Sequence, residues 1–185
     1  MLSIFTLSFL AFASAAMAAA RPPLKPWEIS DLIFSTPSGR PQSSPYSHLN
    51  FTVTDPNVSY LPTPSTTSDT KNSTAPPTTV QCYVQWVWLG KPEDFYGLPN
   101  NCSHVDHGRW IFTVTKPNQT DTSDMHDFNL RLVHLVNRDE GFVGEAQFSW
   151  GKNLRGICAA SGFCQFVIRA DALPFYVNQT YTRAG

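Results

Sequence analysis

Four cysteines carry the most definite chemistry in this chain of 185 residues, at Cys82, Cys102, Cys158 and Cys164. In a secreted chain an even number of cysteines indicates disulfides, and four cysteines allow three pairings. Local spacing favours Cys82–Cys102 and Cys158–Cys164, whose loops would stabilise the fold by roughly 3 and 2 kcal/mol in the chain-entropy model. A zinc site is the alternative, but the chain lacks the C-x2-C pair typical of structural zinc sites.

Six asparagines begin Asn-x-Ser/Thr sequons, which accept N-linked glycans in secreted proteins. They are Asn50, Asn57, Asn72, Asn101, Asn118 and Asn178. We expect about three or four of them to be occupied, because chance sequons are common in chains rich in Ser and Thr. Asn101 is the least favourable, since a disulfide at Cys102 would compete with the glycan for the local backbone.

The stretch from Cys102 to His107 contains residue types that bind metals. His104 and His107 are three residues apart, a spacing that suits two ligands on a helix. The stretch is predicted to be a loop, however, and a cysteine in a disulfide cannot ligate. We therefore predict a solvated loop, with no metal ion and no cofactor.

The sequence contains few of the residue combinations that known catalytic mechanisms require. His134 lies on the apolar side of its strand, which favours a hydrogen-bonded core histidine over a base for Ser149 or Ser161. No G-x-S-x-G elbow and no orienting acid accompany it. Glycoside hydrolysis needs two facing carboxylates, and the candidates are Glu93, Asp94, Asp139, Glu140 and Glu145. A copper-dependent polysaccharide oxidase needs histidine as its first mature residue, whereas Arg21 is predicted there. We predict no catalytic residue.

Aromatic side chains concentrate in the stretch Val80 to Leu89. Its even positions are all apolar and include Trp86 and Trp88, a period-two pattern that predicts a half-buried strand. These tryptophans and Trp110 are therefore expected in the core. Tyr83 faces the other way and could form an exposed platform that stacks on sugar rings.

Similar alternation recurs along the chain and indicates short strands separated by turn residues. A first strand at Trp27 to Ser35 is expected to turn Trp27, Ile29 and Ile33 to one side, and Ser47 to Asp55 alternates clearly. Phe175 to Tyr181 is predicted as one last strand. The sequence predicts an all-β fold, a single compact antiparallel β-barrel or sandwich of about eight strands with two disulfides and little or no helix.

The segments outside these strands have distinct compositions. Residues 1–20 are apolar and end in small residues, which predicts a signal peptide cleaved after Ala20 or after Ala18, with a retained anchor as the alternative. Residues 21–185 form the predicted β domain. Within it, residues 56–79 are rich in Ser, Thr and Pro and predict a flexible insertion. The alternative, a linker between two domains, leaves too few residues before it to fold alone.

The charge balance excludes some classes of partner. The formal net charge is −1 and charged residues make up 15% of the chain, with no basic stripe. This composition gives no electrostatic case for binding nucleic acid or an anionic membrane.

The order of strands and cysteines resembles small secreted fungal β-barrel proteins of the major Alternaria allergen type. The residues that carry this resemblance are Trp27 to Leu32, Asn50 to Asp55, Cys82 with Cys102, and Gly156 to Cys164. The resemblance implies a compact barrel with two intrachain disulfides, secreted by a fungus and acting on host tissue. Those allergens link two chains through a further cysteine, which this sequence lacks, so a monomer or a non-covalent dimer is expected.

These observations predict a secreted, non-enzymatic protein that is effector-like or associated with the cell wall or apoplast. Its partner would be a host or cell-wall protein or a polysaccharide. The loops Gly90–Gly108 and Cys158–Cys164 are candidate recognition surfaces, because a disulfide restrains each of them. The alternative is a small secreted protein that binds or hydrolyses polysaccharide, using Asp and Glu carboxylates for hydrolysis.

Overall fold

The structure is a computed structural model that describes residues 23–57, 77–87, 95–106, 108–117, 127–138 and 140–183. The predicted signal peptide lies outside these ranges, as does most of the predicted insertion. The described residues form one 3-10 turn at Ala170–Ala172 and eleven strands: β1 (Trp27–Thr36), β2 (Tyr46–Asp55), β3 (Thr78–Val87), β4 (Pro99–Asn101), β5 (Arg109–Thr115), β6 (Phe128–Leu135), β7 (Glu140–Phe148), β8 (Leu154–Cys158), β9 (Cys164–Ile168), β10 (Phe175–Val177) and β11 (Gln179–Arg183). The all-β prediction is confirmed. None of the described residues belongs to a helix that could cross a membrane.

The strands form two antiparallel sheets. The six-stranded sheet has the order β3-β2-β1-β9-β8, with β10 also paired to β1, and the five-stranded sheet has the order β11-β7-β6-β5-β4. The sheets face each other across an aromatic core and do not close into a barrel. Of the two architectures that the sequence left open, the sandwich is therefore the observed one.

The core sits between the inner faces of the two sheets. Trp27 on β1 contacts Trp110 on β5, with 4.9 Å between ring centroids. Phe51 on β2 meets Phe112 on β5 edge-on, with centroids 5.1 Å apart. All four rings are buried, and such contacts add to the stabilisation that comes from removing apolar area from water.

Strand β1 departs from the predicted alternation at a β-bulge. Its register with β2 shifts between Ile29 and Asp31. The bulge inserts one residue, so Leu32 and Phe34 turn into the core after it, while Ile33 turns outward and is half-buried. The expectation that Ile33 shares a side with Ile29 was wrong for this reason.

One of the two disulfides joins the two sheets, and the other lies within a single sheet. The predicted disulfide Cys82–Cys102 is present and joins β3 of one sheet to the residue after β4 of the other. Beside it, the Ser103 amide donates a hydrogen bond to the Gln81 carbonyl oxygen at 2.7 Å. The second predicted disulfide, Cys158–Cys164, is also present and connects paired residues of β8 and β9.

The C-terminal segment makes a second connection between the two sheets. Phe175 to Tyr181 was predicted as one strand, but the chain changes sheets at Asn178. Before it, β10 pairs with β1 of the six-stranded sheet, and after it β11 pairs with β7 of the five-stranded sheet.

The three-residue β4 was not predicted from the sequence, because it contains proline and two asparagines, which favour turns.

We expect removal of the inter-sheet disulfide to destabilise the protein more than removal of the hairpin disulfide. The double variant Cys82→Ala/Cys102→Ala should lower the free energy of unfolding by about 3 kcal/mol, and Cys158→Ala/Cys164→Ala by about 2 kcal/mol, since the first closes the longer loop. Urea unfolding followed by tryptophan fluorescence measures both. A larger loss from the hairpin variant would contradict this assignment.

Candidate functional site

The outer face of the six-stranded sheet combines exposed aromatic rings with amides and hydroxyls. Alternate residues of β2 and β3 point away from the core, because successive side chains of a strand leave opposite faces of the sheet. We use the name outer face for the set Tyr46, His48, Asn50, Thr52, Thr54, Thr79, Gln81, Tyr83, Gln85 and Val87. Tyr83 is 51% exposed and Tyr46 is 42% exposed. The set contains no Asp, Glu, Lys or Arg.

Local contacts hold the side chains around Tyr83. Its hydroxyl donates a hydrogen bond to Gln85 Oε1 at 2.7 Å, and its ring centroid lies 6.4 Å from that of His48. Gln81 Nε2 donates to Asn50 Oδ1 at 3.3 Å. The register pairs Tyr83 directly with Asn50, so an exposed ring is flanked by amide groups. Amides can both donate and accept hydrogen bonds, as sugar hydroxyls require.

The face extends over the next strands of the sheet. Ile33 on β1 pairs with Asn50 on one side and with Val167 of β9 on the other, and both apolar side chains are half-buried. Charged side chains begin on β1, where Asp31 lies beside Thr52. The strip formed by β2 and β3 thus lacks Asp, Glu, Lys and Arg, and charged side chains flank it on β1. The Tyr83 ring is exposed, whereas Trp110 is buried in the core as expected.

A second notable arrangement is a pair of ionisable groups inside the sandwich. Asp55 Oδ2, at the end of β2, lies 3.3 Å from His134 Nδ1 on β6, and both side chains are only 3% exposed. The His134 ring stacks on Trp110 with centroids 4.3 Å apart. The prediction of a hydrogen-bonded core histidine matches this geometry. Its acidic partner was missed, although Asp55 continues the inward alternation of Leu49, Phe51 and Val53.

Asn57 completes the hydrogen bonding of the Asp55 carboxylate. Its backbone N and its Nδ2 donate to Asp55 Oδ1 at 2.8 Å and 2.9 Å. Nδ2 also donates to the Lys25 carbonyl oxygen at 2.7 Å, while Asn57 Oδ1 accepts from the Lys25 amide at 2.8 Å. Gln179 Nε2 donates to the same carbonyl oxygen at 2.7 Å. The network thus joins the end of β2 to the segment before β1 and to β11.

These contacts set the ionisation of Asp55. Burial by itself would raise the pKa of the carboxyl group, but the hydrogen bonds from His134 and Asn57 outweigh burial and hold the pKa below its ordinary value. The indole nitrogen of Trp27 makes no hydrogen bond of ordinary geometry, yet it lies close enough to favour the charged carboxylate. Asp55 is therefore ionised near neutral pH.

The described residues leave the two side chains of this pair almost no exposed surface. Gly108 passes over the His134 ring with φ +91°, and a Cβ there would lie 2.9 Å from His134 Nε2. The chain therefore closes over the imidazole edge opposite Asp55. A general base must reach the proton that it abstracts, so this arrangement supports a structural role for the pair.

The other candidate catalytic and metal-binding residues are not assembled into a site. Glu140 and Glu145 are five residues apart on β7, so their side chains leave opposite faces of the sheet. Glu140 accepts a hydrogen bond from the Tyr181 hydroxyl, and Glu145 pairs with Arg131 at 3.4 Å. Within the described ranges no three His, Cys, Asp or Glu residues are placed to hold a metal ion. Glu93, Asp94, His107 and Asp139 lie outside those ranges.

The predicted glycosylation sites fall in very different environments. Asn50 is half-buried on the outer face, and Asn178 is exposed at the corner between the sheets. Asn101 is exposed, and its Oδ1 accepts hydrogen bonds from Arg109 at 2.8 Å and 3.0 Å. Asn57 is only 7% exposed. Asn72 and Asn118 lie outside the described residues, and occupancy of the six sequons stays a prediction.

One apolar recess opens at the end of the sandwich near Trp86. Trp86 stacks on Phe95 with centroids 3.9 Å apart, and Phe34 and Phe128 line the same space. The recess has room for about one water molecule, which is too little for a small-molecule ligand. The predicted core residue Trp88 lies outside the described residues.

We expect Asp55→Asn to destabilise the protein. The unfolding free energy of the variant should also fall less steeply than that of the wild type as the pH is lowered. A carboxyl group with a lowered folded-state pKa contributes stability above its unfolded pKa of about 3.9, and this contribution disappears as the pH falls through the folded-state pKa. The variant should lose about 3 kcal/mol of unfolding free energy at pH 7, because it leaves a buried pair broken. Urea unfolding at several pH values measures both effects. Asp31→Asn, at an exposed position of β1, is the control and should match the wild type within about 0.5 kcal/mol.

We expect Asn57 to carry no glycan in the folded protein, because both hydrogens of its Nδ2 are already donated. Ser59→Ala abolishes this sequon but keeps Asn57, so the secreted protein should lose only the mass of the Ser59 oxygen atom, and its unfolding free energy should not change. Asn57→Ala should instead destabilise the protein by about 2 kcal/mol, through loss of hydrogen bonds to a buried charge. Intact-mass spectrometry and urea unfolding provide the readouts. A mass loss of one glycan in Ser59→Ala would refute the prediction.

Comparison of the chain with protein-family models, with curated proteins and with solved structures found no match.

Proposed function

We propose that this protein is a secreted, non-enzymatic binding protein of the cell wall or apoplast, and that its outer face binds neutral polysaccharide. The observation that carries this proposal is the half-exposed Tyr83 ring, set among amides and hydroxyls on a surface without Asp, Glu, Lys or Arg. A tyrosine ring offers an apolar surface to the C–H face of a sugar, and the neighbouring amides can satisfy its hydroxyls.

The length of the face favours a polymer over a small ligand. Small molecules bind in concave pockets that bury most of their surface, whereas β2 and β3 present a strip of outward side chains along their ten paired residues. Such a strip is about 30 Å long at the usual rise of a β-strand. It can contact several sugar units of an extended chain at once.

The disulfides support an extracellular location. Cys82–Cys102 and Cys158–Cys164 are compatible with an oxidising compartment, in which disulfides form and persist. The apolar residues 1–20, predicted as a signal peptide, agree with export. The resemblance to secreted fungal proteins of the Alternaria allergen type belongs to the same proposal and adds fungal origin and an effector-like role. The barrel that it implied is not part of the proposal.

The closed environment of His134 and Asp55 supports a binding role over hydrolysis. Among the described residues this is the acid–base pair with the closest resemblance to catalytic machinery, and Gly108 covers it. The described carboxylates of Glu140 and Glu145 do not face each other across a cleft. The loops Gly90–Gly108 and Cys158–Cys164 stay secondary candidates for contact with a protein partner.

We expect Tyr83→Ala to weaken binding to insoluble β-glucan or chitin by about tenfold, which corresponds to one aromatic contact of about 1.4 kcal/mol. The measurement is the bound fraction after sedimentation, with released sugars assayed in the same supernatant. Trp150→Ala is the matched control, because Trp150 is an exposed aromatic residue outside the outer face, and it should bind like the wild type. These assays use protein that lacks glycans.

Two results would contradict the proposal. Equal binding by Tyr83→Ala and the wild type would remove the outer face as the binding surface. Soluble sugars released in proportion to protein concentration would show hydrolysis and make the carboxylates the residues to mutate.

A further inference from the structure

We propose that a glycan on Asn50 covers part of the outer face, so that molecules with a bare Asn50 bind polysaccharide more tightly than glycosylated ones. This inference rests on the proposed function, because it concerns regulation of the same surface. It follows from where the fold places the sequon Asn50-Phe51-Thr52, whose sequence alone does not distinguish it from the other five.

Strand pleating presents this sequon on the binding surface. Phe51 is fully buried against Phe112 in the core. The flanking residues Asn50 and Thr52 must then point outward together. Both side chains that define an N-glycosylation site are thus on the outer face, and both are half-buried among their neighbours.

The acceptor nitrogen of Asn50 is available. Gln81 donates its hydrogen bond to the Oδ1 atom of Asn50, which leaves Nδ2 without a protein partner among the described residues. Asn57 is the opposite case, since its Nδ2 donates to Asp55 and to Lys25. The fold therefore permits attachment at Asn50 without loss of a hydrogen bond made by the attached nitrogen.

A sugar attached there would begin beside Tyr83. Asn50 and Tyr83 are direct cross-strand partners, and the Cβ atoms of such partners are about 5 Å apart. The ring of the first sugar has a similar width, so it can cover the exposed face of the Tyr83 ring. It would form the same kind of contact that we propose for the polysaccharide and would therefore compete with it.

The position of β2 makes this competition effective. The strand lies between β3 and β1, so Asn50 projects from the interior of the sheet, with Tyr83 on one side and Ile33 on the other. A glycan at this position therefore begins directly above the strip, with the Tyr83 ring as its neighbour on β3. Asn178 lies at the corner between β10 and β11, outside the outer face, so a glycan there should leave the strip open.

The test compares the full chain secreted from a eukaryotic host with the same chain produced in a host that attaches no N-glycans. Both have the wild-type sequence, so no side chain of the outer face is changed. Asn178→Gln removes a glycan site outside the face and is the matched control. Site-mapping mass spectrometry gives the occupancy of each sequon, and sedimentation with insoluble β-glucan and chitin gives the bound fraction.

We expect the wild-type fraction glycosylated at Asn50 to bind at least about tenfold more weakly than the chain made without N-glycans, as loss of the Tyr83 contact requires. Asn178→Gln from the eukaryotic host should bind as weakly as the glycosylated wild type. Equal binding by the occupied wild type and the glycan-free chain would overturn the regulation while leaving the proposed function intact. Absence of a glycan at Asn50 in the eukaryotic host would also overturn it. If the glycan-free chain fails to bind as well, the proposed function fails.

Discussion

The sandwich depends on how it accommodates one buried carboxylate. Asp55 cannot stay charged inside the protein without hydrogen-bond donors, since desolvation strongly disfavours an isolated charge. His134 and Asn57 supply them. Because Asp55 belongs to β2 and His134 to β6, these bonds fix the position of one sheet against the other. Asn57 also donates a hydrogen bond to the Lys25 carbonyl oxygen, in the segment before β1. Gln179 donates to the same oxygen and so connects β11 to this network.

With the interior fixed in this way, the outward side chains of β2 and β3 take no part in joining the two sheets. The aromatic contacts between Trp27 and Trp110 and between Phe51 and Phe112 fill the space around the polar pair. The Cys82–Cys102 disulfide and the passage from β10 to β11 connect the sheets on either side. None of these elements uses the outward side chains of β2 and β3. In the function that we propose, a rigid support beneath Tyr83 would reduce the entropy lost when polysaccharide binds.

Two neighbouring sequons show how the fold places residues of the same type in different environments. Asn50 and Asn57 are seven residues apart, and each begins an acceptor sequence. The pleat of β2 turns Asn50 to the surface beside Tyr83. The turn after β2 folds Asn57 back onto Asp55, where its amide completes the polar network. Modification at the first position regulates a surface in our proposal, whereas modification at the second would remove hydrogen bonds from a buried charge.

The sequence by itself determined the all-β class, the two local disulfides and the faces of β2 and β3, because alternation with period two and short cysteine spacings are local properties. It also placed His134 in the core and Tyr83 outside it. Only the tertiary structure decided the rest. The bulge in β1, the division of Phe175 to Tyr181 between two sheets, and the open sandwich depend on pairing between distant segments. The partnership of Asp55 with His134 spans 79 residues. Its geometry arises from the packing of the sheets, which no local pattern encodes.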